Sequence, residues 1–88
     1  MKIIWDRSKR LANIAKHGLD FATLTEDFFF SAFVRPARGG RFQAIGEDAN
    51  GVISVVFAQY GVEGVSIISM RPARKDERKL FNAKKENG

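Results

Sequence analysis

Apolar positions in the first third of the chain fall at helical spacing, whereas those after residue 31 alternate or run together as they do in strands. Residues 2–5 (KIIW) make a short apolar run that reads as an edge strand. Asp6 then offers an N-cap carboxylate for a helix over residues 7–17, in which Leu11, Ile14 and Ala15 stand at i, i+3 and i+4, the spacing of one buried stripe. Gly18 reads as the left-handed residue after that helix, with Leu19 and Ile14 as the hydrophobic pair of a Schellman stop. Asp20 can cap a second helix whose core side is Phe21, Leu24 and Phe28, ending in the FFF run.

From Ser31 onward the pattern is β. Residues 32–35 form a strand candidate and RPARGG a loop; residues 41–47 alternate loosely, and DANG supplies an Asn-Gly turn before the apolar run 52–58. That run reads as a central strand covered on both sides. After the YGVEG turn, VSIISMR reads as another strand with Val65, Ile67, Ser69 and Arg71 on one face, so that Arg71 emerges at its end. Pro72 breaks the ladder and opens a last helix over residues 73–84, with Ala73, Glu77, Leu80 and Phe81 near one side. The order β-α-α-β-β-β-β-α predicts an α+β fold, an antiparallel sheet carrying two N-terminal helices and one C-terminal helix, with residues 1–88 in a single domain.

Composition narrows the chemistry. The absence of cysteine removes disulfides, Cys-based zinc sites and a thiol nucleophile. The N-terminus lacks the apolar run of a signal peptide, and no stretch approaches the roughly 20 apolar residues that span a bilayer, so the expectation is a soluble cytoplasmic protein with no membrane partner. The net charge of +5 favours a polyanion or an acidic partner, and it is carried by the two ends of the chain.

His17 is the only histidine. At a helix C-terminus it is a natural cap for exposed carbonyls, and beside Lys16 it is also placed to move a proton near a phosphate; both readings stand. Arg71 and Arg74 flank a strand-to-helix junction, a rigid base for gripping a phosphate, to which the last helix would add backbone N–H donors. Glu77 suits a general base, or an intrahelical pair with Arg74. Arg41 opens a strand and reads equally as edge protection. Most aromatic residues fall on core stripes, while Phe42 and Tyr60 are open to either reading. With no P-loop, GxGxxG or GxSxG and with one His among scattered carboxylates, neither a metal nor a cofactor is expected. Arg, Lys, His and Glu suit metal-free cleavage of RNA by its own 2′-OH.

The block WDxxKxxxNxxKHGxxF, from Trp5 to Phe21, resembles the opening signature of the BrnT toxins of bacterial type II toxin–antitoxin systems. Arg41-Phe42 with Ile45-Gly46, VVF at 55–57, IIS at 67–69 with Arg71, and Ala73 with Glu77-Arg78 continue the likeness to residue 81. The resemblance implies a RelE-like ribonuclease fold and an RNA-cleaving activity that blocks translation and growth. It also implies a BrnA-like antitoxin, through which alone operator DNA is contacted. Carried onto this chain, it implies catalytic roles for His17, Arg71, Arg74 and Glu77, and RNA contacts for Lys16, Arg41 and Arg78. Ser66, Met70 and Phe81 depart from the family's usual Arg, Ala and Tyr, and the Phe-rich DFFFSAF, a candidate face for the antitoxin, replaces a more polar stretch. Two rivals remain: a catalytically inactive RNA- or protein-binding module of the same fold, and a DNA-binding regulator, which no helix-turn-helix spacing supports.

Overall fold

In the computed structural model, which describes residues 1–87, the chain runs β1 (Lys2–Trp5), α1 (Arg7–His17), a 3₁₀ turn (Phe21–Thr23) and α2 (Glu26–Ser31). It continues through β2 (Phe33–Pro36), a second 3₁₀ turn (Arg38–Gly40), β3 (Phe42–Asp48), β4 (Gly51–Tyr60), β5 (Gly64–Pro72) and α3 (Lys75–Asn87). Gly88, counted in the single-domain expectation, lies outside the described residues. The strands form one five-stranded sheet in the order β1-β5-β4-β3-β2, an α+β arrangement. The sheet is mostly, not wholly, antiparallel, because β1 pairs parallel to β5 from Lys2↔Gly64 to Trp5↔Ile67. Residues 6–63 separate these two strands, so their pairing is free of the hairpin constraint that makes β2 to β5 antiparallel.

Helix α1 has the ends its caps dictate: Asp6 accepts from the Lys9 N–H, and Gly18 (φ 70°) donates to the Ile14 carbonyl. Its inward face is not the expected stripe. Leu11 is 50% exposed, and the buried residue is Asn13, flanked by half-buried Arg10, Ile14 and His17. The reason is what α1 packs on. Pairing with β1 stops at Ile67, so the Met70 N–H beyond it has no strand partner on that edge. Asn13 Oδ1 accepts it at 3.0 Å, while Asn13 Nδ2 donates to the Leu19 carbonyl at 2.9 Å, so one amide satisfies two buried backbone groups.

The second helix is broken in two. Asp20 caps only the first 3₁₀ turn, Leu24 is extended, and Thr25 starts α2 by accepting from the Phe28 N–H. The break lets Phe21, Leu24, Phe28 and Phe29 all reach the core, where they cover Ala44, Ile53, Val55, Phe57, Val65, Ile67 and Met70 on one sheet face. Gly46 permits this approach, since a Cβ there would meet the Phe28 ring at 2.8 Å.

A bulge in β5 decides what the other face carries. The register passes from Val56↔Ser69 to Phe57↔Ile67 and skips Ile68, which reverses the alternation. Val65, Ile67 and Met70 therefore join the core, and Ser69 and Arg71 turn to the opposite side, not to the side of Val65 and Ile67 as strict alternation predicts. On that side α3 covers one end only, packing Leu80 and Phe81, with Ala73 just before the helix, against Phe33, Ile45 and Val52. It begins at Lys75 rather than residue 73 because the Ala73 N–H still bonds the Val52 carbonyl as an extension of the sheet. The rest of the face is open.

Candidate functional site

Glu77 sits in the first turn of α3 and is only 3% exposed. Its carboxylate takes four hydrogen bonds, all of 2.8 Å: Arg71 Nη1 and Nη2 to Oε1 and Oε2, the Arg74 N–H to Oε1, and Gln43 Nε2 to Oε2. The Arg71 hydrogen bond holds its pKa down at about 2 against the opposing effect of burial, with further help from the Arg74 N–H and Gln43. Glu77 reciprocally raises Arg71. The side chain paired with Glu77 is thus Arg71, not Arg74, whose contribution is its backbone N–H. The helix N-terminus expected to receive a phosphate is filled in part by the protein's own carboxylate, as in a capping box. A carboxylate so engaged has little affinity for a proton near neutral pH, and it holds the Arg71 guanidinium in place.

The fork leaves Arg71 with chemistry to spare. Nη1 also donates to the Pro72 carbonyl at 3.2 Å, while Nε–H and the second Nη2 hydrogen have no partner among the described residues. These two donors form one planar edge, suited to two oxygens of a phosphate.

Gln43 is a residue that pattern alone did not single out. It is buried on β3, donates to both Ser54 Oγ and Glu77 Oε2 at 2.8 Å, and accepts from Arg35 Nε at 2.8 Å. Arg35, also missed, is thereby tied to the same cluster. The available signal was a polar residue inside a strand otherwise apolar on both sides, FQAIG; its partner Glu77 lies 34 positions away.

His17 and Lys16 lie across the open face from Arg35. With Lys9, Ala12, Asn13, Ile68 and Ser69 they line a groove of about 200 Å³ between α1 and the β5 bulge. Ser69 is two residues before Arg71 on the same face, roughly 7 Å along the strand, so groove and fork adjoin on one surface. Val56, Ala58, Ser66 and Ser69 make its floor, all small or half-buried. Arg41 is exposed two residues before Gln43, on the same side by alternation, and Arg74 and Arg78 are exposed near the start of α3. None of these three has an ionic partner among the described residues.

Of the departures, Met70 is in the main core and Phe81 in the smaller cluster under α3; only Ser66 touches the open face. Phe42 stacks on Phe57 on the core side, whereas Tyr60 stays half-exposed beneath Lys2 Nζ, 5.9 Å from its ring. Among the described residues no three His, Asp or Glu side chains gather as metal ligands, and no helix is long and apolar enough to cross a membrane.

Residues 5–77 match the family described as "Ribonuclease toxin, BrnT, of type II toxin-antitoxin system". Among solved structures, the chain is similar to the Brucella abortus ribonuclease toxin BrnT, with 54% identity and a TM-score of 0.79 over 85% of this chain and 99% of that one. No curated protein matches it.

Proposed function

Because the chain belongs to the BrnT family of ribonuclease toxins of type II toxin–antitoxin systems, we propose that it is a metal-independent endoribonuclease with a RelE-like fold, acting in the cytoplasm. It cleaves RNA, and so inhibits translation and growth, until a BrnA-like antitoxin binds it; operator DNA is reached only through that antitoxin. The observation that carries this reading is the Arg71 fork. One edge is locked on Glu77 and the other is free, beside a groove containing the chain's one imidazole.

In this mechanism the 2′-OH attacks the adjacent phosphorus, the P–O5′ bond breaks, and a 2′,3′-cyclic phosphate and a 5′-OH result. His17 takes the 2′-OH proton, and solvent or the same imidazolium returns one to the departing 5′ oxygen. The free edge of Arg71 binds the non-bridging oxygens as their charge grows, with its orientation already set by Glu77. Lys16, Arg41, Arg74 and Arg78 hold flanking phosphates and fix register without reading sequence.

The test is cleavage of a labelled RNA in EDTA by the parent and by His17→Ala, with melting temperatures compared. The parent is expected to leave 2′,3′-cyclic ends, and the variant to be slower by about 10²–10⁴-fold while melting normally. Intact RNA with salt-sensitive binding retained would instead select the catalytically inactive RNA-binding module.

A further inference from the structure

Arg35 is a half-buried cation that lacks an anion. Its Nε donates to Gln43 Oε1, a neutral acceptor, and no carboxylate pairs with it among the described residues. Its two Nη groups have no hydrogen-bond partner there either. Partly desolvating a guanidinium without a counter-charge is costly, and the cost is relieved when an anion arrives from outside. The group is also pre-aimed. Gln43 is held by Ser54 and Glu77, so three hydrogen bonds of 2.8 Å each link Arg35 to Gln43, Gln43 to Glu77, and Glu77 to Arg71.

Register places Arg35 usefully. Arg35, Gln43, Val56 and Ser69 pair successively across β2, β3, β4 and β5, a row of roughly 14 Å that ends at the His17 groove. A strand of RNA lying along this row passes Arg35 at one end and Arg71 and His17 at the other. We propose that Arg35 is a further phosphate-binding residue of the site, gripping a backbone phosphate that flanks the scissile one. This rests on the ribonuclease reading. An RNA backbone fits better than an acidic protein side chain, because the row is continuous with the free edge of Arg71 and floored by residues small enough for a polynucleotide to approach.

The experiment is binding of a 2′-O-methyl oligoribonucleotide, which cannot supply the attacking 2′-OH, measured at several salt concentrations. Removing one phosphate contact lowers the slope of log K against log salt by about 0.7 for a single strand. Arg35→Ala is expected to show that reduction and to bind about tenfold more weakly at low salt, whereas Arg35→Lys keeps the slope. If Arg35→Ala melts early, Arg35→Gln removes the charge while leaving Gln43 a donor and gives the same reading. A folded Arg35→Ala or Arg35→Gln with the parent's slope and affinity overturns the Arg35 site and leaves the ribonuclease reading intact. A parent that neither binds this oligonucleotide nor cleaves unmodified RNA overturns both.

Discussion

Two arginine–carboxylate forks brace this molecule, and in isolation they look alike. Arg10 holds Asp20 through Nε and Nη2 at 2.7 and 2.8 Å, and Arg71 holds Glu77 through both Nη groups at 2.8 Å. Both carboxylates are pulled to about 2, in each case chiefly by hydrogen bonding to the guanidinium. Their surroundings differ. Arg10 and Asp20 are about a third exposed, at 34% and 31%, and they tie α1 to the loop ten residues on. Glu77 is buried, accepts from two further donors, and joins α3 to two strands of the sheet, β3 and β5. Ion-pair geometry therefore says little about worth; the solvent around the pair and the groups stranded by its loss say more.

The largest effect should come from breaking the buried fork. Glu77→Ala leaves Arg71, the Arg74 N–H and one Gln43 hydrogen without their acceptor, and is expected to cost about 3–5 kcal/mol, read as a shift in the denaturation midpoint. Acid probes the same contact without mutation. Because the folded-state pKa of Glu77 lies below its ordinary 4.5, the stabilisation is fully present above about 4.5 and is lost as pH falls toward 2. Melting temperature should drop through that window in the parent and be flatter in Glu77→Gln; equal slopes would show the fork to be energetically idle. The consequence for function is practical. Arg71→Ala strands a buried carboxylate, so loss of cleavage in that variant confuses folding with chemistry, whereas Arg71→Lys keeps a counter-charge and removes the planar edge.

Next comes Asn13, the polar staple that joins α1 to the edge of β5. Asn13→Ala strands the Met70 N–H and the Leu19 carbonyl and should cost about 1–3 kcal/mol, again read from denaturation. The two regions part here in another respect. In the N-terminal block the contacts are short in sequence: Asp6 caps three residues on, Gly18 closes α1, Trp5 packs edge-on against Phe21 at 6.4 Å. The bounds of α1 and the Phe21, Leu24, Phe28 core face were legible for that reason, though not the break that splits the second helix. Even so, Leu11 was misread, because periodicity assumes that a helix buries apolar residues, and α1 packs on a backbone edge that wants an amide.

The candidate site was less legible because its geometry is set at long range. Arg71, Glu77 and His17 stood out by residue type, but Glu77's partner depended on the one-residue bulge at Ile68, which no local pattern announces. Arg35 and Gln43 passed unnoticed since their meaning comes from pairing across strands and from a helix far along the chain. Most of the WDxxKxxxNxxKHGxxF block that identifies the family builds the scaffold on which Lys16 and His17 are held.

The smallest effect should come from the exposed fork, and it sharpens the comparison most. Asp20→Asn keeps one oxygen for the Ala22 N–H and Arg10 Nε, and removes the charge facing Arg10 together with the acceptor of Arg10 Nη2. Solvent already screens that pair, so the denaturation midpoint is expected to move less than it does in Asn13→Ala, and by less still as salt rises. A larger and salt-insensitive loss would mean that Asp20 acts through its turn rather than its charge. The loop carrying Gly18 and Leu19 would then be braced by hydrogen bonds alone, and the resemblance between the two forks would be one of shape only.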